Sequence, residues 1–395
     1  MDEYLIRARA MEEELRTLRR SLHRCPELGF KLPETIEIVK SKLAELGCEV
    51  ITLGGGMTAE LGGVRPGPTL LLRADMDALP MKEESGLEFA SSNGAAHACG
   101  HDLHTTMLLG AVRLLKAREH KLRGKIRLMF QSAEETASGA RAMLEHGVLE
   151  GVDAAFAMHV ATQRPVGLLN CTHGPKTASY DRFGITITGK GGHGAFPHQA
   201  ADPINAAVHL YLALQELVSH ECPPEETAVL TIGMFQAGTA GNVIPDSVYL
   251  EGTARAASRE CRELLRRRLK EQAQGICGVY RTAAVVEMLS EVPPLYNDPD
   301  LTRRMAAFAR VVLGEALVSE KPEPLTASED FALIAERVPT AYLTMGTGRE
   351  EDGYLYGNHN SRVCYDEGVL SLGAAVFARC AENFLDEMKK EPDRG

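Results

Sequence analysis

The chemistry-bearing residues of this chain fall in short clusters. HACGHD (97–102) puts a thiol, two imidazoles and a carboxylate into six positions. RADMDA (73–78) supplies Asp75 and Asp77, FQSAEE (130–135) ends in Glu134 and Glu135, and AMH (157–159) ends in His159. Thiolate, imidazole and carboxylate are the side chains that hold divalent transition ions, so convergence of these clusters would make a metal site. Each has a plainer account when taken alone. An isolated Cys is commonly an inert buried hydrophobe, a His at a strand end commonly a hydrogen-bonded structural residue, and paired glutamates commonly a wet surface. A C-x-x-C redox pair is absent, because the cysteines flanking Cys99 in sequence are Cys48 and Cys171. A nucleophilic Cys–His dyad would use one imidazole and leave Glu134, Glu135 and His159 without a part. Metal ligation employs them together.

Those clusters need elements to gather them. TLLLRAD (69–75), KIRLMFQ (125–131) and DAAFAMHV (153–160) predict strands. Between them, after a helical opening over 3–22, DLHTTMLLGAVRLLKARE (102–119) and GARAMLEHGVL (139–149) predict helices. Such alternation implies βαβ units and a largely parallel sheet covered by helices. In open sheets of this kind the carboxyl ends of the strands form the ligand crevice, and each cluster falls at a predicted strand end. Cys99 and His101 lie just before the helix that begins near Asp102.

The texture changes near Tyr180. YDRFGITITGK reads as a strand, 202–220 as a helix, AVLTIGMFQAG and SVYLEGTARA as two strands, 258–275 as a helix and AAVVEMLSEVPP as a strand. This is the split ferredoxin-like order. After Pro294 the α/β texture resumes through TAYLTMGTG and a final helix over 366–388. The expected fold class is therefore α/β. A mostly parallel-sheet domain of residues 1–179 and 293–395 is covered by helices, and an α+β unit is inserted at 180–292.

Bulk properties agree with a globular protein and disfavour other classes. The 395 residues exceed what one hydrophobic core usually serves, and 44% hydrophobic with 25% charged residues is ordinary for a folded protein. A net charge of -11 disfavours a nucleic-acid partner, and RRRLK (266–270) lies in a helical pattern as a solvated face. The first twenty residues are charged throughout and lack the apolar core of a signal peptide, and no apolar run is long enough to span a bilayer. Nine scattered cysteines, an odd number, fit a reducing compartment. A cytoplasmic location without a membrane partner is expected.

Ten motifs then occur in one order: LHRCPELGF (22–30), RADMDALP (73–80), HACGHDLHTTMLLGA (97–111), FQSAEE (130–135), AMH (157–159), GKGGHGAFPH (189–198), ADP (201–203), GNVIPD (241–246), GTAR (252–255) and SEDFA (328–332). On these the chain resembles the M20 family of metallopeptidases and amidohydrolases, in particular the subgroup acting on N-acyl-amino acids, hippurate and auxin conjugates. The resemblance implies two divalent ions per subunit, Zn or Mn with Co or Ni as alternatives. Cys99, His101, Glu135, His159 and His359 would hold them, with the Cys99 thiolate as the bridge. It implies that Glu134 is the general base acting on a metal-bound water, which then delivers the proton to the leaving nitrogen.

The inserted unit would be a lid and dimerisation domain, making the protein a homodimer. Its His193 would stabilise the oxyanion, from the partner subunit in dimeric relatives, and Asn242 and Arg255 would hold the polar end of an N-acyl amino acid. Asp77 and Asp102 would stand behind the ligands and orient their imidazoles. His104, one helical turn after His101, reads as a capping or supporting residue. The chain departs from the pattern at Ser361, where a Pro is expected two residues after His359. A dipeptidase or carboxypeptidase of the same fold, and a catalytically silent binding protein, are the competing functions. Without metal, Cys99 is expected to be an exposed, low-pKa thiolate open to oxidation.

Overall fold

The computed structural model describes residues 2–387. Its chain divides into two compact units. The first takes the chain up to Gly174, Tyr296–Glu323 and the chain from Leu333. The second takes Pro175–Leu295 and also Pro324–Ala332, a segment whose sequence gives no sign of belonging there.

In the first unit an eight-stranded sheet runs in the spatial order Val50–Leu53, Gly56–Gly62, Lys125–Gln131, Thr69–Asp75, Ala154–Ala161, Thr340–Gly346, Leu169–Asn170 and Val318–Ser319. The four central strands, Lys125–Gln131 to Thr340–Gly346, are mutually parallel. A hairpin of Val50–Leu53 and Gly56–Gly62 adds antiparallel at one side, and Leu169–Asn170 pairs antiparallel with Thr340–Gly346 on the other. Every residue of Thr69–Asp75 and Thr340–Gly346 is buried, which is why these strands read as continuous apolar runs and not as alternations. Helices His101–Lys116, Pro299–Leu313 and Val369–Glu387 share one apolar core with the sheet. The last was expected over 366–388; it begins at Val369, and residue 388 lies outside the described residues.

The second unit is a four-stranded antiparallel sheet in the order Ala228–Ala237, Ser247–Ala256, Tyr180–Thr188, Ala283–Val292. Helices Pro203–Glu216 and Arg259–Val279 bury their apolar stripes with it in a separate core. Strand, helix, strand, strand, helix, strand along the chain, with the first strand central, is the ferredoxin-like arrangement. Ala228–Ala237 is an edge strand and carries exposed Val229, Met234 and Phe235. Among the described residues no helix is long and apolar enough to cross a membrane.

Candidate metal centre

The parallel strands deliver the polar clusters to one sheet edge. Thr69–Asp75 ends on Asp75, Lys125–Gln131 leads into the loop bearing Glu134 and Glu135, and His159 lies near the end of Ala154–Ala161. Cys99 and His101 come from the turn that opens helix His101–Lys116. That turn requires Gly100: its φ is 84°, and a Cβ there would run into the Val160 side chain. The glutamate pair lies between Ala133 and Ala137, both at positive φ, and His359 is itself at φ 66°. Non-glycine residues rarely occupy this region, and such strain persists where surrounding structure fixes it, typically at functional loops.

Cys99 is the meeting point. Its Sγ is 3.4 Å from His159 Nε2 and 3.3 Å from His359 Nε2. Two sets of donors share it: Cys99, His101 and His159, and Cys99, Glu135 and His359, the atoms of each set lying within 4.8 Å of one another. His359 Nε2 is also 3.5 Å, and His101 Nε2 3.8 Å, from Glu135 Oε1.

The donor set fits a metal on three counts. His101 Nδ1–H donates to the Asp77 carbonyl at 2.8 Å and His159 Nδ1–H to the Val160 carbonyl at 2.7 Å, so in each neutral ring Nε2 is the nitrogen left to bind an ion. His101 Nε2 and Glu135 Oε1 are buried without a hydrogen-bond partner, an arrangement that costs free energy unless an ion takes them up. Two ligands of one tetrahedral zinc, a sulfur and a nitrogen, are about 3.5 Å apart, close to both measured N···S separations. His359, by contrast with the others, has a side chain 53% exposed.

Electrostatics at the site is governed by burial and its compensation. Burial alone would raise Asp75, but Arg73, His101 and His104 outweigh it and hold the carboxyl well below its usual range. Burial would lower His101, yet Asp75 holds it well above its ordinary value, while His159, buried beside His104, is held well below. Burial pushes Glu135 up. It also pushes up the Cys99 thiol, which is 8% exposed. The expectation of an exposed, low-pKa thiolate in the metal-free protein is thereby corrected: Cys99 is buried, and burial favours its thiol form.

Behind the ligands, Asp77 accepts the backbone N–H groups of Glu134 at 3.1 Å and Glu135 at 3.2 Å and so fixes the glutamate loop. Its Oδ1 is 3.5 Å from His101 Nδ1. Asp102 does not orient a ligand imidazole. It accepts from Arg19 Nε at 2.7 Å and His23 Nδ1 at 2.8 Å, because its first-turn position points it into the opening helices. His104 proves to be a strut: Nδ1 lies 2.6 Å from Asp75 Oδ1 and Nε2 accepts the Val160 N–H at 2.8 Å, tying the end of one central strand to the next beside His159.

Arg19, His23, Glu83 and His97 carry no assignment in the sequence reading. Arg19 and His23 are buried, and His23 also bonds Glu83 Oε1 at 3.0 Å. A signal existed, since Arg19 and His23 share the helical stripe of Leu15, Leu18 and Leu22. His97 is buried with neither ring nitrogen hydrogen-bonded, and burial pushes it down to about 3.

In the second unit His193 and Asn242 come together: Gly192–His193 pairs with Val243–Ile244, and Gly194 N–H donates to the Asn242 carbonyl at 2.9 Å. Both are exposed. The Ala195 N–H donates to His193 Nδ1 at 3.1 Å, leaving Nε2 to carry a proton outward. Arg255 is elsewhere. It stacks over Tyr180 with its Cζ 4.8 Å from the ring centroid, at the opposite end of Ser247–Ala256 from Asn242. The eight residue steps from Ser247 to Arg255 span about 27 Å. One chain's Asn242 and Arg255 therefore lie far apart, at opposite ends of that strand.

An α/β sheet carrying Cys, His and Glu donors that could hold metal, with a second ferredoxin-like unit inserted, is the arrangement to compare with metal-dependent hydrolases. The chain matches the Peptidase family M20/M25/M40 over residues 71–383, and it belongs to that family. It is 39% identical to the N-acetylcysteine deacetylase of Bacillus subtilis, over 96% of this chain and 99% of that one. It is 37% identical to thermostable carboxypeptidase 1 of Saccharolobus solfataricus, over 96% and 97%. Among solved structures, a Bacillus subtilis protein described as a dinuclear metal-binding peptidase of family M20 superposes with a TM-score of 0.83 at 36% identity, over 96% of this chain and 99% of that one. The family makes this protein a metal-dependent amide hydrolase.

Two outcomes follow from the supporting residues. His104→Ala should leave a folded protein but weaken metal binding by roughly 10- to 100-fold in a calorimetric titration, because the strand end carrying His159 loses its strut; unaltered affinity would contradict the role. Glu83 is pulled down to about 2: burial alone would raise it, but His23, Ser85 and the Ser91 N–H outweigh that. A depressed carboxyl stabilises the fold above its ordinary value of 4.5, and the contribution disappears as the pH falls toward 2. His23, raised above 6.5, stays protonated across that window and adds no slope. The stability difference between the wild type and Glu83→Gln should thus be about 2 kcal/mol at pH 5 and shrink toward zero by pH 2 in chemical denaturation; a difference independent of pH would contradict it.

Proposed function

We propose that this protein hydrolyses the amide bond of N-acyl-L-amino acids, releasing a carboxylic acid and a free amino acid. Two divalent ions, Zn or Mn before Co or Ni, would be held by Cys99, His101, Glu135, His159 and His359. The observation that carries this reading is Cys99 Sγ standing between two donor sets, with a second glutamate, Glu134, next to the one that ligates. When bound, such ions acidify a water and polarise a carbonyl. The chain's own residues do the rest. Glu134, its backbone anchored on Asp77, accepts a proton from the attacking water and returns it to the leaving nitrogen. His193 donates from Nε2 to the developing oxyanion. Arg255, stacked on Tyr180, offers its guanidinium to the substrate carboxylate, and Asn242 adds a polar contact beside His193.

The opposite placement of Asn242 and Arg255 supports a homodimer in which His193 and Asn242 serve the partner's site. Exposed Val229, Met234 and Phe235 on the edge strand, and Val208, Tyr211 and Leu212 on helix Pro203–Glu216, support the second unit as the dimerisation surface. A cytoplasmic location accords with the nine free thiols. A carboxypeptidase is the second reading, favoured by the 37% identity to an archaeal enzyme of that name.

Chelation should abolish release of amino acid from N-acetyl and N-benzoyl substrates, and added Mn or Zn should restore it. Glu134→Gln should bind metal normally yet lose about 1,000-fold or more in kcat. Faster cleavage of dipeptides or peptide C-termini would select the carboxypeptidase, and no turnover on either panel the silent binding protein. For the dimer, Glu134→Gln and His193→Ala, each inactive alone, should regain about one quarter of wild-type activity when their subunits are mixed and exchanged. No recovery would place His193 within its own chain's site, and an active His193→Ala would place it outside the mechanism.

A further inference from the structure

Cys222 and Cys261 lie outside the metal centre, in the second unit, with their sulfurs 3.4 Å apart. Thirty-nine residues separate them in sequence, and that stretch contains both strands of the edge hairpin, Ala228–Ala237 and Ser247–Ala256. Cys261 is 3% exposed in the first turn of helix Arg259–Val279, where Ser258 Oγ accepts its N–H. Cys222 is half-buried and ends the irregular turn Leu217–Glu221, followed by Pro223 and Pro224. One thiol is thus covered in a helix, and the other is half-buried at the end of a short irregular turn. Closing 3.4 Å to the roughly 2.05 Å of an S–S bond asks for a movement of about 1.4 Å, within reach of side-chain rotation and a small adjustment of that turn.

We propose that Cys222 and Cys261 are a modification site, a dithiol that hydroperoxides convert to an intrachain disulfide. In the first step the Cys222 thiol gives up its proton, its sulfur attacks hydrogen peroxide, the O–O bond breaks, Cys222 becomes a sulfenic acid and the other oxygen leaves with that proton as water. In the second the Cys261 sulfur attacks the sulfenic sulfur, the S–S bond forms, and the hydroxyl departs with the Cys261 proton as a second water. Two thiols are oxidised and one peroxide is reduced. The bond closes a ring around the edge hairpin and staples the end of helix Pro203–Glu216 to the start of helix Arg259–Val279.

The test is peptide mapping of the full-length, metal-loaded protein after treatment with stoichiometric hydrogen peroxide. The expected result is a linked peptide pair containing Cys222 and Cys261, a mass loss of 2 Da per chain in unreduced protein, and reversal by dithiothreitol. The thermal midpoint should rise by about 5 °C in the oxidised form, as for a ring of this length. Cys222→Ser and Cys261→Ser should each abolish both the linkage and the shift. With Cys261→Ser the Cys222 sulfenic acid should persist and be captured by dimedone. Cys222 recovered as a sulfinic acid in the wild type, linkage of either cysteine to a different partner, or a dithiol left intact while other thiols oxidise would overturn the proposal.

Discussion

Asp75 is a carboxylate with no access to solvent, and the architecture of the sheet edge follows from keeping it charged. An unpaired buried anion is untenable, so Arg73 from the same strand, His104 and His101 from the neighbouring helix all converge on it. Each of those contacts also positions something else. His104 reaches through to the Val160 backbone and sets the strand that bears His159, and Arg73 reaches Gln131, at the head of the loop that bears the glutamates. One buried charge thereby couples three strand ends and a helix start. The candidate donor atoms are held in place by this framework of protein contacts.

A second polar layer stands behind the helix that carries His101. Asp102 is gripped by Arg19 and His23, and Arg19 and Arg20 both engage Glu367 near the start of the last helix. The amino-terminal helices, which contribute no ligand, thus brace the HACGHD turn from outside. This explains why Arg19 and His23 are buried while most charges of the opening helices stay at the surface.

Much of this was legible because the central strands are simple. TLLLRAD and KIRLMFQ occupy the residues their composition predicts, and DAAFAMHV is displaced by one residue. The βαββαβ order of the insertion followed from alternation and turns. What escaped had physical reasons. The hairpin at Val50–Leu53 and Gly56–Gly62 is interrupted by three glycines and half-exposed at its first strand, so neither period shows. Arg19 and His23 carry no mark of burial beyond their place in the apolar stripe of their helix, because their partner Asp102 lies far away in sequence. Asp102 was misread because a residue adjacent to a ligand in sequence was taken to be adjacent in space. Pro324–Ala332 joins the second unit through long-range pairings, Leu325 with Lys176 and Ala178, that no local pattern encodes.

The pairing of Ala154–Ala161 with Thr340–Gly346 has a consequence for synthesis. Nearly two hundred residues separate these adjacent parallel strands, and the whole second unit emerges from the ribosome between them. That unit, nearly contiguous, has what it needs to fold on its own schedule. The first unit must wait with the His159 strand as an open edge until residue 346 is out, and its last donor, His359, is later still. A nascent chain therefore holds Cys99, His101 and Glu135 long before the site is complete, and an early-arriving ion would meet an unfinished set of donors.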